Sequence, residues 1–197
     1  MKRCQWVTEN PLYIEYHDRE WGIPVLEDGK LFEMLLLEGA QAGLSWITIL
    51  KRRDNYRFAF DNFDYEKIAT YSEEKILQLK QNEGIIRNER KIRSAVENAK
   101  QFIQIQKEFG SFSKYLWSFT NGEPIINSWN EADKIPAQTE LSQKISKDLK
   151  KRGFSFVGPV IIYSFLQATG VVNDHLLSCF CHPTQKLHKQ SKGKSVN

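Results

Sequence analysis

Apolar residues recur at intervals of three and four along most of this chain, and a period-two alternation persists nowhere. Leu31, Phe32, Leu35 and Leu36 form one helical stripe, with Asp28 as its candidate N-cap and Gly39 and Gly43 as breaks. Ser45 can cap a second segment over 46–53. Ser72, Glu73 and Glu74 read as a cap and an acidic first turn ahead of Ile76, Leu77 and Leu79. The longest candidate covers 89–109, where Ile92, Ala95, Val96, Ala99, Phe102 and Ile103 recur, and Gly110 ends it. Residues 120–138 hold Asn121-Gly122, Pro124 and Pro136 and read as loop and turns. Thr139 opens a helix that stops by Gly153, and Pro159 suits the first turn of another that ends near Gly170. The expected fold class is all-α, with no sheet.

Composition refines this picture in three ways. The 197 residues suit one globular body. The net charge of +4 is accounted for by Lys186, Lys189, Lys192 and Lys194, so residues 1–183 are neutral. The expected division is a helical domain over 1–183 and a basic, disordered tail over 184–197. No apolar run approaches the ~18 residues of a spanning helix, and Met1–Trp6 has no apolar signal core. Three cysteines exclude a complete disulfide framework, which fits a reducing cytoplasm with free thiols or a metal site.

Two constellations carry chemistry. Lys150, Lys151 and Arg152 precede a short turn, Gly153-Phe154-Ser155-Phe156-Val157-Gly158, between two helices. This resembles a helix-hairpin-helix that holds the DNA backbone on free amides, and it also reads as a plain helical hairpin with a solvated end. Cys4 and His17 lie near one end of the chain, and His175 and Cys179, four apart, near the other. Two Cys and two His make a closed tetrahedral shell suited to one structural Zn²⁺ joining the termini. Spacing alone leaves open that these are buried small residues and core histidines, or that Cys181 and His182 exchange for a ligand. A Cys179–His175 thiol hydrolase dyad is a third reading, which metal ligation would rule out.

Longer blocks point further. They include Pro11-Leu-Tyr-Ile-Glu-Tyr-His-Asp18, Glu20-Trp-Gly-Ile-Pro24, Glu38-Gly39 and Gln41-Ala-Gly-Leu-Ser-Trp-Ile-Thr48. They continue with Gly84-Ile-Ile-Arg87, Lys151-Arg-Gly-Phe154, Phe156-Val-Gly158 and Val172-Asn-Asp-His175. In one register from about Cys4 to about Pro183, these closely resemble the 3-methyladenine DNA glycosylase I family of bacterial base-excision repair enzymes. The resemblance implies a two-lobed helical bundle in the helix-hairpin-helix glycosylase superfamily, with zinc on Cys4, His17, His175 and Cys179. It implies hydrolysis of the N-glycosidic bond of 3-methyladenine, with 3-methylguanine a second candidate. The expected partners are double-stranded alkylated DNA and free 3-methyladenine as product, with no membrane, for a chain acting as a monomer.

The site expected from the resemblance is a base pocket read by Glu38, with Tyr16 and Trp46 as aromatic walls and Tyr13 and Trp21 beside them. A carboxylate accepts hydrogen bonds from an exocyclic amine and favours a cationic ring. Glu38 alone also reads as a solvated helix end, with Glu33 and Asp18 next in line for its role. Trp6 and Trp117 read as core. Gln41, Gly43 and Leu44 are expected to wedge into the gap left by the flipped nucleotide, or to form a simple turn. Lys151, Arg152, Gly153 and Gly158 are expected phosphate contacts. The superfamily's water-activating Asp after the hairpin is absent, which implies a monofunctional hydrolase. A zinc-stapled DNA-binding module without catalysis is the rival reading.

Overall fold

The structure is a computed structural model, and it describes residues 1–185. Its centre is α2 (Asp28–Gln41), buried without interruption from Leu31 to Ala40. Such a helix cannot be amphipathic, because it has neighbours on every side. Those neighbours are α3 (Trp46–Leu50), α7 (Glu89–Phe109), α8 (Phe112–Ser118) and α10 (Pro159–Ala168). One group of helices gathers on α7: α5 (Tyr65–Ile68), α6 (Glu73–Gln81) and α8, with α4 (Arg53–Ala59) leading in. The other comprises α1 (Pro11–Arg19), the hairpin of α9 (Glu140–Lys151) with α10, and the chain ends. α2 connects the two groups.

Local chemistry sets the boundaries. Ser72, Asn88, Ser111 and Thr139 each accept a backbone N–H in the first turn of the helix they precede, satisfying donors that have no intrahelical partner. Asp28 acts elsewhere than expected. Glu27 is the N-cap of α2, and the Asp28 carboxylate instead accepts the N–H groups of Phe112 (2.9 Å) and Ser113 (2.8 Å), capping α8 from a distance. Gly170 has φ +66°, and a Cβ there would stand 2.2 Å from the Ile23 carbonyl carbon, so only glycine fits.

One expectation is corrected. A two-residue parallel bridge joins β1 (Ile125–Ile126) to β2 (Val172–Asn173). Two residues are too few for an alternation to register. The expected tail begins within the described body. Gln185 donates from Nε2 to the Leu177 carbonyl (2.9 Å), and the tail from Lys186 lies outside the described residues. Among the described residues no helix is long and apolar enough to cross a membrane.

Candidate active site and metal centre

Near the junction of the two helical groups lies a cavity of about 570 Å³. It is lined by all five residues expected of a base pocket: Tyr13, Tyr16, Trp21, Glu38 and Trp46. α1 supplies the tyrosines, α2 supplies Glu38 from its penultimate turn, and α3 supplies Trp46 from its first position. The Tyr13 hydroxyl accepts the Ile47 N–H (3.2 Å), which fixes the start of α3 against α1. Tyr16 and Trp46 rings lie 5.2 Å apart, tilted by 53°. Trp6 also lines the cavity, edge-on to Tyr13 at 5.6 Å and to Trp21 at 5.1 Å, so it is a pocket wall and not a core residue. Trp117 is core as expected, donating its indole N–H to the Val25 carbonyl.

Three carboxylates competed for the recognition role, and their partners separate them. Glu33 is bound to Arg53 (2.8 Å), Arg57 (3.0 Å) and Lys30 (3.1 Å). Asp18 is bound to Arg3 and His17, both at 2.7 Å. Glu38 is 3% exposed, and its Oε2 has no hydrogen-bond partner. Burial pushes its carboxyl up to about 8, because the anion has nothing to replace its lost water. The Trp46 indole N–H is also buried without an acceptor. An orphaned acceptor and an orphaned donor among aromatic walls suit a flat ligand presenting both hydrogen-bonding types.

α1 places Tyr16 in this cavity and, one residue on, His17 in a second cluster. The ligating atoms of Cys4, His17, His175 and Cys179 all lie within 4.8 Å of one another, and all four residues are buried. Cys179 Sγ stands 3.4 Å from His17 Nε2, and both sulfurs stand 3.6 Å from His175 Nδ1. A tetrahedron with metal–ligand bonds of ~2.2 Å has edges of about 3.6 Å, so the donor set fits a zinc-sized ion. The remaining ring nitrogens are engaged as in metal sites: His17 Nδ1 with Asp18 (2.7 Å) and His175 Nε2 with the Trp21 carbonyl (2.9 Å). Both rings thereby turn their other nitrogen inward, His17 Nε2 also accepting the Cys4 N–H at 3.4 Å. Cys181 and His182 stand outside the set, and His182 Nε2 instead meets the Asn127 carbonyl (3.0 Å).

The expected DNA-facing residues divide. Gln41 lines the cavity, and the turn beyond it carries Gly43 at φ +78° with open space around it and Leu44 39% exposed. Lys91 donates to the carbonyls of Ala40 (2.8 Å) and Ala42 (2.6 Å), bracing this turn from α7. In the hairpin, Gly153 has φ +95° and Gly158 is the N-cap of α10. Asn98 clamps Ser155 by both backbone groups, at 2.8 and 2.9 Å, and Ser146 holds the Val157 carbonyl. Lys150 and Lys151 are exposed. Arg152 is not presented to an outside partner in the same way. Its guanidinium pairs with Glu108 (2.6 Å) and Asp148 (2.7 Å) and lies over Phe109 and Tyr115.

Sequence reasoning missed part of the cavity wall. Ala132, Ile135, Pro136 and Ala137 close one side, and Tyr163, Ser164 and Gln167 another. The first group lies in a stretch without periodicity. The second faces inward from an apolar helix, where the polar side chains of Tyr163, Ser164 and Gln167 could have signalled a site.

The chain matches the methyladenine glycosylase family over residues 6–182. It is 50% identical to DNA-3-methyladenine glycosylase 1 of Escherichia coli (strain K12) over 186 residues, covering 94% of this chain and all of that one. The fold is similar to the crystal structure of a 3-methyladenine DNA glycosylase I, with TM-score 0.90 and 52% identity over 92% of this chain and 100% of that one. It is also similar to the Y16F form of a 3-methyladenine DNA glycosylase I in complex with 3-methyladenine. There the TM-score is 0.90 at 38% identity, over 93% of this chain and 98% of that one. Sequence and architecture thus agree along nearly the whole chain, and it belongs to the methyladenine glycosylase family.

Proposed function

We propose that Glu38, Tyr16 and Trp46 read the flipped base in this chain, which acts as a DNA-3-methyladenine glycosylase in base-excision repair. The observation that carries this reading is the pair of orphaned polar atoms, Glu38 Oε2 and Trp46 Nε1, in one aromatic cavity. Adenine offers an amine donor and ring-nitrogen acceptors on a flat edge. Methylation at N3 adds positive charge while the base is still attached to its sugar. Aromatic walls favour that charge by roughly 2 kcal/mol when desolvated, about 30-fold over a neutral ring. The base departs neutral, so the leaving group is already activated and the pocket's task is extrusion and selection.

Water activation by a strong general base is not part of this mechanism. The helix that follows the hairpin contributes no carboxylate, and the next acid, Asp174, is fully buried with both oxygens occupied by donors. Cys4, His17, His175 and Cys179 hold one structural zinc in this reading. A closed four-ligand shell supplies folding free energy and leaves no position for a reactive water. Lys150, Lys151 and the backbone from Gly153 to Gly158 contact phosphates, with Arg152 bracing the hairpin from inside. Gln41, Gly43 and Leu44 support the gap left in the duplex. The chain works as a monomer on double-stranded DNA.

Release of free base from methylated duplex DNA tests the function. Free 3-methyladenine should accumulate, with an intact abasic strand that is cut only after alkali. Tight DNA binding with no base released would favour the binding-module reading instead. For the hairpin, neutralising Lys150 and Lys151 together should weaken binding equally on all sequences. It should also flatten the salt dependence by about one unit per lost contact. An unchanged slope would move the phosphate contacts elsewhere. Neutralising Arg152 should lower the melting temperature more than the salt slope.

A further inference from the structure

Asp174 is fully buried, and neither the metal cluster nor the base contacts described above use its carboxylate. Four side chains donate to it. Asn127 Nδ2 and Trp129 Nε1 each reach Oδ1 at 2.7 Å. Gln167 Nε2 reaches Oδ2 at 2.7 Å, and the Tyr163 hydroxyl donates to the same oxygen. Buried carboxylates are costly unless satisfied, and this one is satisfied by uncharged donors alone.

The donors come from two parts of the fold. Tyr163 and Gln167 stand on α10 and line the pocket. Asn127 and Trp129 stand on the segment that leads directly into Ala132, Ile135, Pro136 and Ala137, which also line the pocket. That segment is laid along the chain around Asp174: Asn127 N–H donates to the Asn173 carbonyl and Leu177 N–H to the Trp129 carbonyl. One carboxylate therefore ties both walls to a single point behind the cavity.

We propose that Asp174 is a positioning residue that clamps the 127–137 wall to α10 and so sets the width of the base pocket. Resting on the base-pocket reading above, this assigns affinity for the base to a group that never touches it. Because all four bonds run to one anion, losing its charge weakens every bond together.

The test compares the wild-type chain with Trp129→Phe and Asp174→Asn, by calorimetric titration of free 3-methyladenine, by undamaged-duplex affinity, and by amide exchange. Trp129→Phe keeps the ring and deletes one donor. Asp174→Asn keeps the shape, removes the charge and turns an N–H₂ toward at least one existing donor. Trp129→Phe should bind free base about 5- to 10-fold more weakly, and Asp174→Asn about 10- to 100-fold, in line with hydrogen bonds to a charged group. Duplex affinity should stay within about twofold, and amide exchange over 130–137 should speed up in both. Should Asp174→Asn fail to fold, Trp129→Phe carries the test. Base affinity in Trp129→Phe within twofold of wild type would overturn the clamp, as would unchanged exchange. A parallel loss of base and duplex affinity would also overturn it, since that marks general loosening. A wild-type chain that does not bind the free base would instead sink the base-pocket reading and the clamp with it.

Discussion

Cys4→Ala is expected to lower the melting temperature by about 10–20 °C. Structural zinc contributes folding free energy outright, and replacing one of four ligands should forfeit on the order of 5 kcal/mol of it. For a chain of this length each kcal/mol is worth about 2–4 °C. Without a metal, hydrogen bonds from Cys181 and Cys4 hold the Cys179 thiol far below its ordinary range, while Cys4, hydrogen-bonded to Cys179 and buried, is raised. A dication would bind both sulfurs as thiolates, so metal uptake should be weaker at acid pH. Metal analysis after exhaustive dialysis should return one zinc per chain. Chelation should lower the wild-type melting temperature at least as far as the Cys4 variant, and lower that variant by less than it lowers the wild type. A fully folded, stable chain without zinc would count against the assignment.

Glu38→Gln should separate recognition from folding. Gln is nearly isosteric and still accepts a hydrogen bond, but it has no charge. A charge-assisted bond is roughly twice as strong as a neutral one, so above about pH 8, where Glu38 is ionised, affinity for free 3-methyladenine should fall about 5- to 30-fold with zinc content unchanged. Excision should fall without vanishing, since the alkylated base leaves readily on its own. Stability should move the other way. Glu38 has its carboxyl raised from 4.5 to about 8 in the fold by burial. A raised acid contributes its full stability below the unfolded value and loses it as pH climbs toward the folded one. The wild-type chain without base should therefore weaken progressively between pH 4.5 and about 8 relative to the variant. Part of the cost remains as a buried amide, so the variant should melt about 2–8 °C higher at pH 8 and equally at pH 4. Equal base affinity in the two proteins would return Glu38 to the status of a helix end. Glu33 and Asp18 could not easily replace it, since both are bound to cations.

The helical body was legible in the chain because it rests on local spacing, whereas of the four-residue cluster only the i, i+4 pair His175 and Cys179 is local, and the choice of the full set came from the resemblance. Caps at Ser72, Thr139 and Gly110 and the glycine corners of the hairpin carry their own signals. The identity of the pocket came from resemblance to a family, and the residues by themselves left Glu38 as a plausible surface group. What separates it from Glu33 is the company each keeps in space, and no periodicity encodes that. α1 escaped the pattern for a related reason. Its inward residues face a cavity and a metal cluster instead of an apolar core, so Tyr16 and His17 make no stripe. Trp6 was misplaced because an aromatic facing a cavity and one facing the core look alike in sequence. Asp28 and Arg152 were assigned roles by their neighbours in the chain, and each also holds a partner some 40 to 85 residues away, Phe112 and Ser113 for Asp28 and Glu108 for Arg152.

The cluster of Cys4 and His17 with His175 and Cys179 also sets a timetable. His17 and Cys179 are separated by 162 residues, which a ribosome adds in about 8–30 s. For all of that interval the first two ligands have no second pair to close on. Helices α2 to α8 can assemble as they emerge, but the wall that holds Trp6, Tyr16 and Trp21 must wait for the last residues of the body. A chain cut short before Cys179 therefore holds the sequence of helices α1 to α10 and lacks the fourth residue of the cluster that backs the pocket wall.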